Sequence, residues 1–304
     1  TPVDEDGDGV TVEDGDCDDT DPETTVCWQD VATGDDFTCG LTTEGQTICW
    51  GEDAPEPPDD TFKSIFAATE VKVACGIRES GEPVCWGSTE NVFPSGTTLT
   101  QIAFLSDAAC GINTDGGLVC TDRYRVISFG DDTLPEGNFV DISGDGFSSH
   151  GMCAVDTAEN LVCWGGSALD PIVEDQPDGR FTHVSMGGGV ACARETSGSL
   201  QCWGSSIQDT EVGPSGTFIA VSVGGEHACG LRESGAGTCW GGWDLMGTNS
   251  RAPSIYFNKI SLGDNHSCGL TESGRISCWH NNDEGEGDVP FADADDERVD
   301  GIDD

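Results

Sequence analysis

The sequence has little positive charge: twelve Lys and Arg stand against 57 Asp and Glu, a formal net charge of −45 over 304 residues. Nucleic-acid and anionic-membrane binding rest on Lys and Arg neutralising phosphate, so this balance argues against both partners and favours cations. Apolar runs approaching the roughly 20 residues of a membrane-spanning helix are missing, which excludes that kind of span. There is no glycine-rich phosphate loop, no nucleophile motif and no carboxylate pair with a distinguishing context, so nothing points to an enzyme. The chain starts at Thr1 without a Met or an apolar leader, and is read as a processed form or a fragment.

Glycine and cysteine are abundant instead. Forty-three glycines, roughly twice the ordinary share, indicate a turn-rich, non-helical chain. Sixteen cysteines, an even number in regular spacing, indicate a disulfide framework formed in an oxidising, extracellular or cell-surface setting. They fall into eight pairs, the members of each ten positions apart: Cys17/Cys27, Cys39/Cys49, Cys75/Cys85, Cys110/Cys120, Cys153/Cys163, Cys192/Cys202, Cys229/Cys239 and Cys268/Cys278. From Cys39 onward the pairs recur every 35 to 43 residues.

The last seven pairs share a phrase that reads as a β-hairpin: Cys-Gly-Leu, a polar stretch, Gly, then Cys-Trp-Gly, as in CGLTTEGQTICWG at 39–51. Six residues after the first Cys stands Gly45, Gly81, Gly116, Gly198, Gly235 or Gly274. That position suits the last residue of a three-residue loop, which needs φ > 0. Pairing about this loop sets the two cysteines opposite one another, within bridging distance if the pair is a non-hydrogen-bonded one. Repeat four departs with Glu159-Asn160, where Asn tolerates the left-handed region, and repeat three lacks the Trp.

Upstream of each hairpin an aromatic or aliphatic residue is followed three later by Ile or Val: Trp28…Val31, Phe62…Ile65, Leu99…Ile102, Phe139…Ile142, Phe181…Val184, Phe218…Val221 and Phe257…Ile260. This predicts a further strand per repeat, and variable linkers such as 87–96 supply a fourth, edge strand where proline is tolerated. Four short strands in about 39 residues, seven times over, predict an all-β, seven-bladed β-propeller with one disulfide in each hairpin. A linear solenoid is the competing geometry, but it wants distinct capping repeats. The periodic tryptophans and the equivalent His227 and His266 read as packing residues, while Trp243, Tyr124 and Tyr256 lie off the pattern as candidate ligand contacts.

HSCGLTESGRISCWH at 266–280 and HACGLRESGAGTCWG at 227–241 resemble repeats of the regulator-of-chromosome-condensation type, in a cysteine-rich bacterial secreted variety. The resemblance covers 28 to about 291 and implies seven blades around a central channel. It carries no catalytic residue into this chain.

Outside the repeats, residues 4–23 read DEDGDGVTVEDGDCDDTDPE. Asp4, Asp6 and Asp8 followed by Gly9 match positions 1, 3, 5 and 6 of an EF-hand-like loop, in which alternating carboxylates wrap one Ca2+, and Val10 would give its carbonyl. The twelfth position is Gly15, so the closing carboxylate comes from elsewhere, with Glu13, Asp14 and Asp16 as candidates. Asp14, Asp16, Asp18, Asp19 and Asp21 form a second candidate set. This stretch resembles thrombospondin type 3 repeats and the Asp-Gly-Asp-Cys-Asp-Asp metal-binding motif of myxobacterial-type surface proteins.

The expected organisation is an Asp-rich calcium segment over 1–27, a propeller over 28–291 and an acidic tail or linker over 292–304. The expected role is that of a secreted, non-enzymatic, structural or adhesive module of a surface layer, fibre or matrix. It would assemble head to tail with itself into a filament, or engage other surface proteins or glycans. A recognition propeller is the alternative, and a salt-adapted organism would acidify its surfaces without any metal site.

Overall fold

The computed structural model describes residues 26–69, 71–88, 92–105, 108–122, 134–145, 151–165, 171–204, 213–225, 227–241 and 252–290. They form seven three-stranded antiparallel sheets, each built from consecutive strands. Blade 1 comprises Trp28–Thr33, Phe37–Thr42 and Thr47–Gly51, and blade 2 Ser64–Ala67, Val73–Ile77 and Pro83–Gly87. Blade 3 comprises Leu99–Phe104, Ala108–Asn113 and Leu118–Asp122, and blade 4 Phe139–Gly144, Gly151–Asp156 and Leu161–Gly165. Blade 5 comprises Phe181–Gly187, Val190–Glu195 and Leu200–Gly204. Blade 6 comprises Ala220–Val223, His227–Leu231 and Gly237–Gly241, and blade 7 Phe257–Leu262, His266–Thr271 and Ile276–His280. The first strands contact one another around the ring, blade 7 against blade 1 included, so they are innermost.

The hairpin chemistry follows the residue pattern. Thr42 N–H donates to the Gln46 carbonyl and Gly45 N–H to that of Thr42, closing a three-residue loop that ends at Gly45 with φ +85°. The cysteines then face each other with Cα atoms 4.0 Å apart, the spacing of a non-hydrogen-bonded pair, and all seven blades carry the bridge. Cys27 is disulfide-bonded as well, and its expected partner Cys17 lies outside the described residues.

In blade 4 Glu159, not Asn160, takes the left-handed conformation, at φ 69°. Asn160 is occupied instead, its backbone and side-chain N–H groups both donating to the Asp156 carboxylate at 2.8 Å.

The Cys-Gly-Leu glycine has a packing reason. A Cβ on Gly76 would lie 2.4 Å from the Phe62 ring, and one on Gly269 would lie 2.3 Å from the Phe257 ring. The aromatic residue of the inner strand therefore crosses over the glycine of the middle strand. It then stacks on the tryptophan of the outer strand, with centroids 5.5 Å apart for Phe62–Trp86 and 5.3 Å for Phe257–Trp279.

Each blade is apolar on both faces. The middle strands of blades 1, 2 and 6 are buried at every residue, so a single blade can bury them only between two neighbours. The core is accordingly seven slabs, one at each junction. Ala32, Phe37 and Leu41 of blade 1 meet Phe62, Ile65 and Trp86 of blade 2, and the series runs round to Cys268, Leu270 and Ile276 of blade 7 against Trp28, Val31 and Trp50 of blade 1. This rules out the solenoid, whose end faces would stay open.

A repeated hydrogen bond sets the blade spacing. The carbonyl of each left-handed loop residue accepts the N–H of the next blade's signature residue: Gly45 from Phe62, Gly81 from Leu99, Gly116 from Phe139, Glu159 from Phe181, Gly198 from Phe218 and Gly235 from Phe257, at 2.7–2.8 Å. Gly274 accepts from Trp28 at 2.8 Å and closes the ring.

The expected fourth strand is not found among the described residues. The 1→2 linker holds Pro55, Pro57 and Pro58, which lack the N–H that a ladder requires. The 4→5 linker forms the short helix Pro171–Glu174 instead, and its Gln176 side chain accepts the outer-edge N–H of Cys163 at 3.0 Å. After blade 7, residues 281–290 take the place of a linker across the closing junction. The Glu286 carbonyl accepts Trp50 Nε1–H at 2.9 Å, as the Ile172 carbonyl accepts Trp203 Nε1–H at 2.9 Å.

Two outcomes are expected in urea unfolding. Replacing Cys192 and Cys202 together by Ala lowers stability by about 2–3 kcal/mol, the loop-closure entropy of an eleven-residue ring. Glu159→Gly raises it by about 0.5–1 kcal/mol by relieving the left-handed strain, whereas Gly116→Ala lowers it by about 1–2 kcal/mol.

Candidate functional site

Polar side chains at one repeat position tie the inner strands together. Five of the seven inner strands carry a β-bulge just after the signature residue: those of blades 1, 3, 4, 5 and 7. The residue resuming the register is Asp30, Gln101, Asp141, His183 or Lys259. These residues reach across blade junctions. Lys259 of blade 7 pairs with Asp30 of blade 1, and Asp30 Oδ2 accepts Ile65 N–H of blade 2 at 3.2 Å.

On the other side of the ring Gln101 Nε2 donates to Asp141 Oδ1 at 2.8 Å, and Val184 N–H donates to Asp141 Oδ2 at 2.7 Å. His183 Nδ1 lies 2.8 Å from Asp141 Oδ2 and His183 Nε2 lies 2.9 Å from the Val221 carbonyl. The two chains of contact, 7–1–2 and 3–4–5–6, involve every blade.

The His183 contacts decide its charge. Both ring nitrogens face acceptors, so both must donate, and the ring is an imidazolium. Burial alone would push its pKa down, but the Asp141 charge and hydrogen bond outweigh that and hold it above the ordinary value. Asp141 is held below the usual carboxylate range: burial opposes ionisation, and the His183 charge with three hydrogen bonds overcomes it. The girdle thus supplies its own counter-charges. Asp30 is paired with Lys259 and Asp141 with His183.

A further line of hydroxyls joins blades 4 to 1. Ser143, Ser185, Ser222 and Ser261, each opposite a first cysteine, accept the N–H of Met186, Val223, Leu262 and Thr33 in the next blade at 2.9–3.2 Å. In blades 1–3 that position is Ala32, Phe66 and Ala103, so the seam is confined to one half of the ring.

The middle strands of blades 6 and 7 start with buried histidines. His227 Nε2 lies 2.7 Å from Ser267 Oγ, which is 3.1 Å from His280 Nδ1, and the His227 and His280 rings meet edge to face. His266 Nε2 lies 2.8 Å from Thr38 Oγ1 of blade 1. Burial first, then the neighbouring histidines, pushes His227 down to about 3, and burial with His280 pushes His266 down to about 4. These two fill the packing role expected for them. Among the described residues no group of three His, Cys, Asp or Glu side chains is arranged to hold a metal ion.

The sequence-derived metal ligands Asp4, Asp6, Asp8, Val10, Asp14, Asp16, Asp18, Asp19 and Asp21 lie outside the described residues, as do His150, Trp243, Tyr124 and the tail 292–304. Of the candidate ligand contacts, Tyr256 is described and is 64% exposed. Sequence reasoning missed the girdle. Its residue types differ from blade to blade, and the signal available was a polar residue two places after the signature residue in every blade but the sixth.

Two tests follow. Asp141→Asn keeps the shape but removes the charge, so stability is expected to fall by about 2–3 kcal/mol and the His183 pKa to fall in an NMR titration. For His227 and His266 the folded pKa lies below the unfolded value of 6.5. Their contribution is intact above about 6.5 and is lost as pH drops toward 3–4, where the unfolded chain binds protons that the fold refuses. The urea midpoint is therefore expected to decline between pH 6.5 and 4, with a shallower decline in His227→Gln.

Known proteins agree with this architecture. A model of the regulator of chromosome condensation (RCC1) repeat matches residues 28–54 and 257–286, which are blade 1 and blade 7 with its closing segment. No curated protein matches the sequence. Among solved structures, the CRINKLY WD40 ectodomain of the Arabidopsis thaliana receptor kinase ACR4 is similar with a TM-score of 0.67 at 18% identity, over 84% of this chain and 98% of that one. The entire ectodomain of the Physcomitrella patens receptor kinase CR4 gives 0.68 at 21%, over 84% and 73%. Prp20p from Saccharomyces cerevisiae, whose structure was described with its binding to Gsp1p and histones, gives 0.62 at 14%, over 85% and 83%. The chain is therefore a disulfide-bridged, seven-bladed propeller that carries RCC1-type repeats in its first and last blades and shares its fold with RCC1-like proteins and plant receptor ectodomains.

Proposed function

We propose that this protein is an extracellular, non-enzymatic propeller that serves as a structural or adhesive module of a cell surface or matrix, with calcium bound by its Asp-rich N-terminal segment. The observation that carries this reading is the bridge repeated in every blade, since such pairs persist outside the reducing cytosol. Among the described residues no helix is long and apolar enough to cross a membrane. The self-neutralised girdle favours a scaffold over a catalyst. Calcium rests on the Asp4, Asp6, Asp8, Gly9 spacing, and the further aspartates 14–21 offer a second ion. Acidic stretches flanking the propeller in the sequence support head-to-tail assembly, which propagates as a filament when it does not close.

A second reading, a recognition propeller for a protein or glycan, is favoured by the shared fold with receptor ectodomains.

Calorimetric titration with calcium is expected to give a Kd of about 10⁻⁴–10⁻³ M, as in extracellular modules, with fewer ions bound after Asp4, Asp6 and Asp8 are changed to Asn. Electron microscopy is expected to show filaments with calcium and single rings with chelator. Single rings under both conditions would overturn assembly, and unchanged heat in the triple variant would overturn the ligand assignment.

A further inference from the structure

Blade 7 departs from its neighbours at the last residue of the outer strand. In blades 1, 2, 4, 5 and 6 that place is Gly51, Gly87, Gly165, Gly204 or Gly241, all left-handed, with φ between +85° and +133°. Space requires glycine there as well. A Cβ on Gly51 would lie 2.3 Å from the Asp36 carbonyl oxygen, and one on Gly87 would lie 2.1 Å from that of Lys72. Blade 7 instead holds His280 in the left-handed region, at φ 75°. A side chain kept in a conformation that costs energy points to a use for that side chain.

The contact it makes crosses the junction with blade 6. Ser267 Oγ lies 2.7 Å from His227 Nε2 of blade 6 and 3.1 Å from His280 Nδ1. A hydroxyl has one hydrogen, so in the neutral arrangement one imidazole donates to Oγ and the hydroxyl donates to the other. A further proton puts a hydrogen on both facing nitrogens and displaces the hydroxyl's own from its acceptor. It also places charge in a pair of rings 4.6 Å apart. Ser267 is fully buried, so the displaced hydrogen cannot turn to water.

His280 also leads directly into segment 281–290, which straps blade 7 to blade 1. Asn281 N–H donates to the Asn265 carbonyl at 3.3 Å. The Glu286 carbonyl accepts Thr38 Oγ1–H and Trp50 Nε1–H of blade 1, each at 2.9 Å. Thr38 is in turn the partner of His266 Nε2, so lifting the strap frees His266 too.

We propose that His280, with His227 and Ser267, is a proton-operated latch that holds the outer strand of blade 7 and the strap 281–290 in place at neutral pH and releases them in acid. The latch goes beyond the structural reading above and needs neither calcium nor assembly.

The surrounding groups set the sign. His227 is pushed down to about 3 by burial and then by His280 and His266, and His266 to about 4 by burial and then by His280. Both folded values lie below the unfolded 6.5, so acid favours the open form by about tenfold per pH unit for each histidine that opening exposes. Two groups on blade 1 and the strap act the other way. Glu284 is raised by its hydrogen bond to Glu52, then by the charges of Glu52, Asp36 and Glu286, and Asp35 is raised by burial and then by Asp36. Glu284 and Glu52 are exposed, so solvent screens their share. Asp264, in the blade 7 loop, accepts Asn265 Nδ2–H at 2.9 Å.

The test is hydrogen–deuterium exchange of the full chain in chelator at pH 7 and pH 5, corrected for the intrinsic exchange rate. Exchange over 276–290 is expected to rise about twentyfold to thirtyfold at pH 5, while 161–165, the matching strand of blade 4, keeps its rate. His227→Gln, whose amide does not titrate, is expected to cut that rise about tenfold. His280→Gly restores the residue of the other blades. It is expected to melt no lower than the parent at pH 7, yet to cut the rise at least about threefold. An equal rise over 161–165, no rise over 276–290, or an unchanged rise in His280→Gly would each overturn the proposal. So would a rise abolished by His266→Gln but untouched by His227→Gln.

Discussion

The architecture depends on one hydrogen bond repeated around the ring, from the signature N–H of each blade to the carbonyl of the left-handed loop residue before it. A left-handed residue turns its peptide out of the hairpin ladder, so its carbonyl is free to reach the next blade. The glycine at that point therefore does two things: it ends the turn, and it aims an acceptor across the junction. Seven such bonds at 2.7–2.8 Å fix each signature residue, which in blades 1, 2, 3, 6 and 7 lies over the middle-strand glycine of its own blade. The ring then stacks against tryptophan and fills the slab between blades. Glu159 meets the requirement at a conformational cost: its carbonyl accepts Phe181 N–H of the next blade, and its side chain pairs with the exposed Arg180 beside it.

Closure follows from burial. Middle strands that are apolar on both faces leave no exposable end, so the last blade must find the first. Nothing covalent joins blade 7 to blade 1. The junction is held by Gly274 to Trp28, Lys259 to Asp30, Thr38 to His266 and the Glu286 carbonyl on Trp50 and Thr38. His266, buried neutral at this junction against Thr38, makes the closing contact sensitive to acid. The girdle answers a related problem. In a chain with net charge −45, the two girdle carboxylates each have a cation beside them, Lys259 for Asp30 and His183 for Asp141.

Much of the fold was legible in the residues. The ten-residue cysteine spacing, the glycine six places on and the upstream aromatic are local constraints of hairpins, and hairpins are encoded by neighbours in sequence. The fourth strand was misjudged because a linker's conformation depends on what it covers. The helix at Pro171–Glu174 and the segment 281–290 are shaped by the tryptophans beneath them. The girdle was hidden for a different reason: Gln101, Asp141 and His183 hold the same place in three repeats but share no residue type, so no repeated residue marks them. Of the candidate site, the Asp-rich spacing at 4–21 was readable as calcium chemistry from sequence alone.

The sequence by itself determined the disulfide-locked hairpins, their number and the apolar character of both faces, because each rests on residues close together in the chain. The tertiary structure alone decided which carboxylate meets which cation, which tryptophans find an acceptor, and how the first and last blades join. Those outcomes turn on angstrom-scale distances between residues some 40 to 250 positions apart, set by packing that no local pattern records.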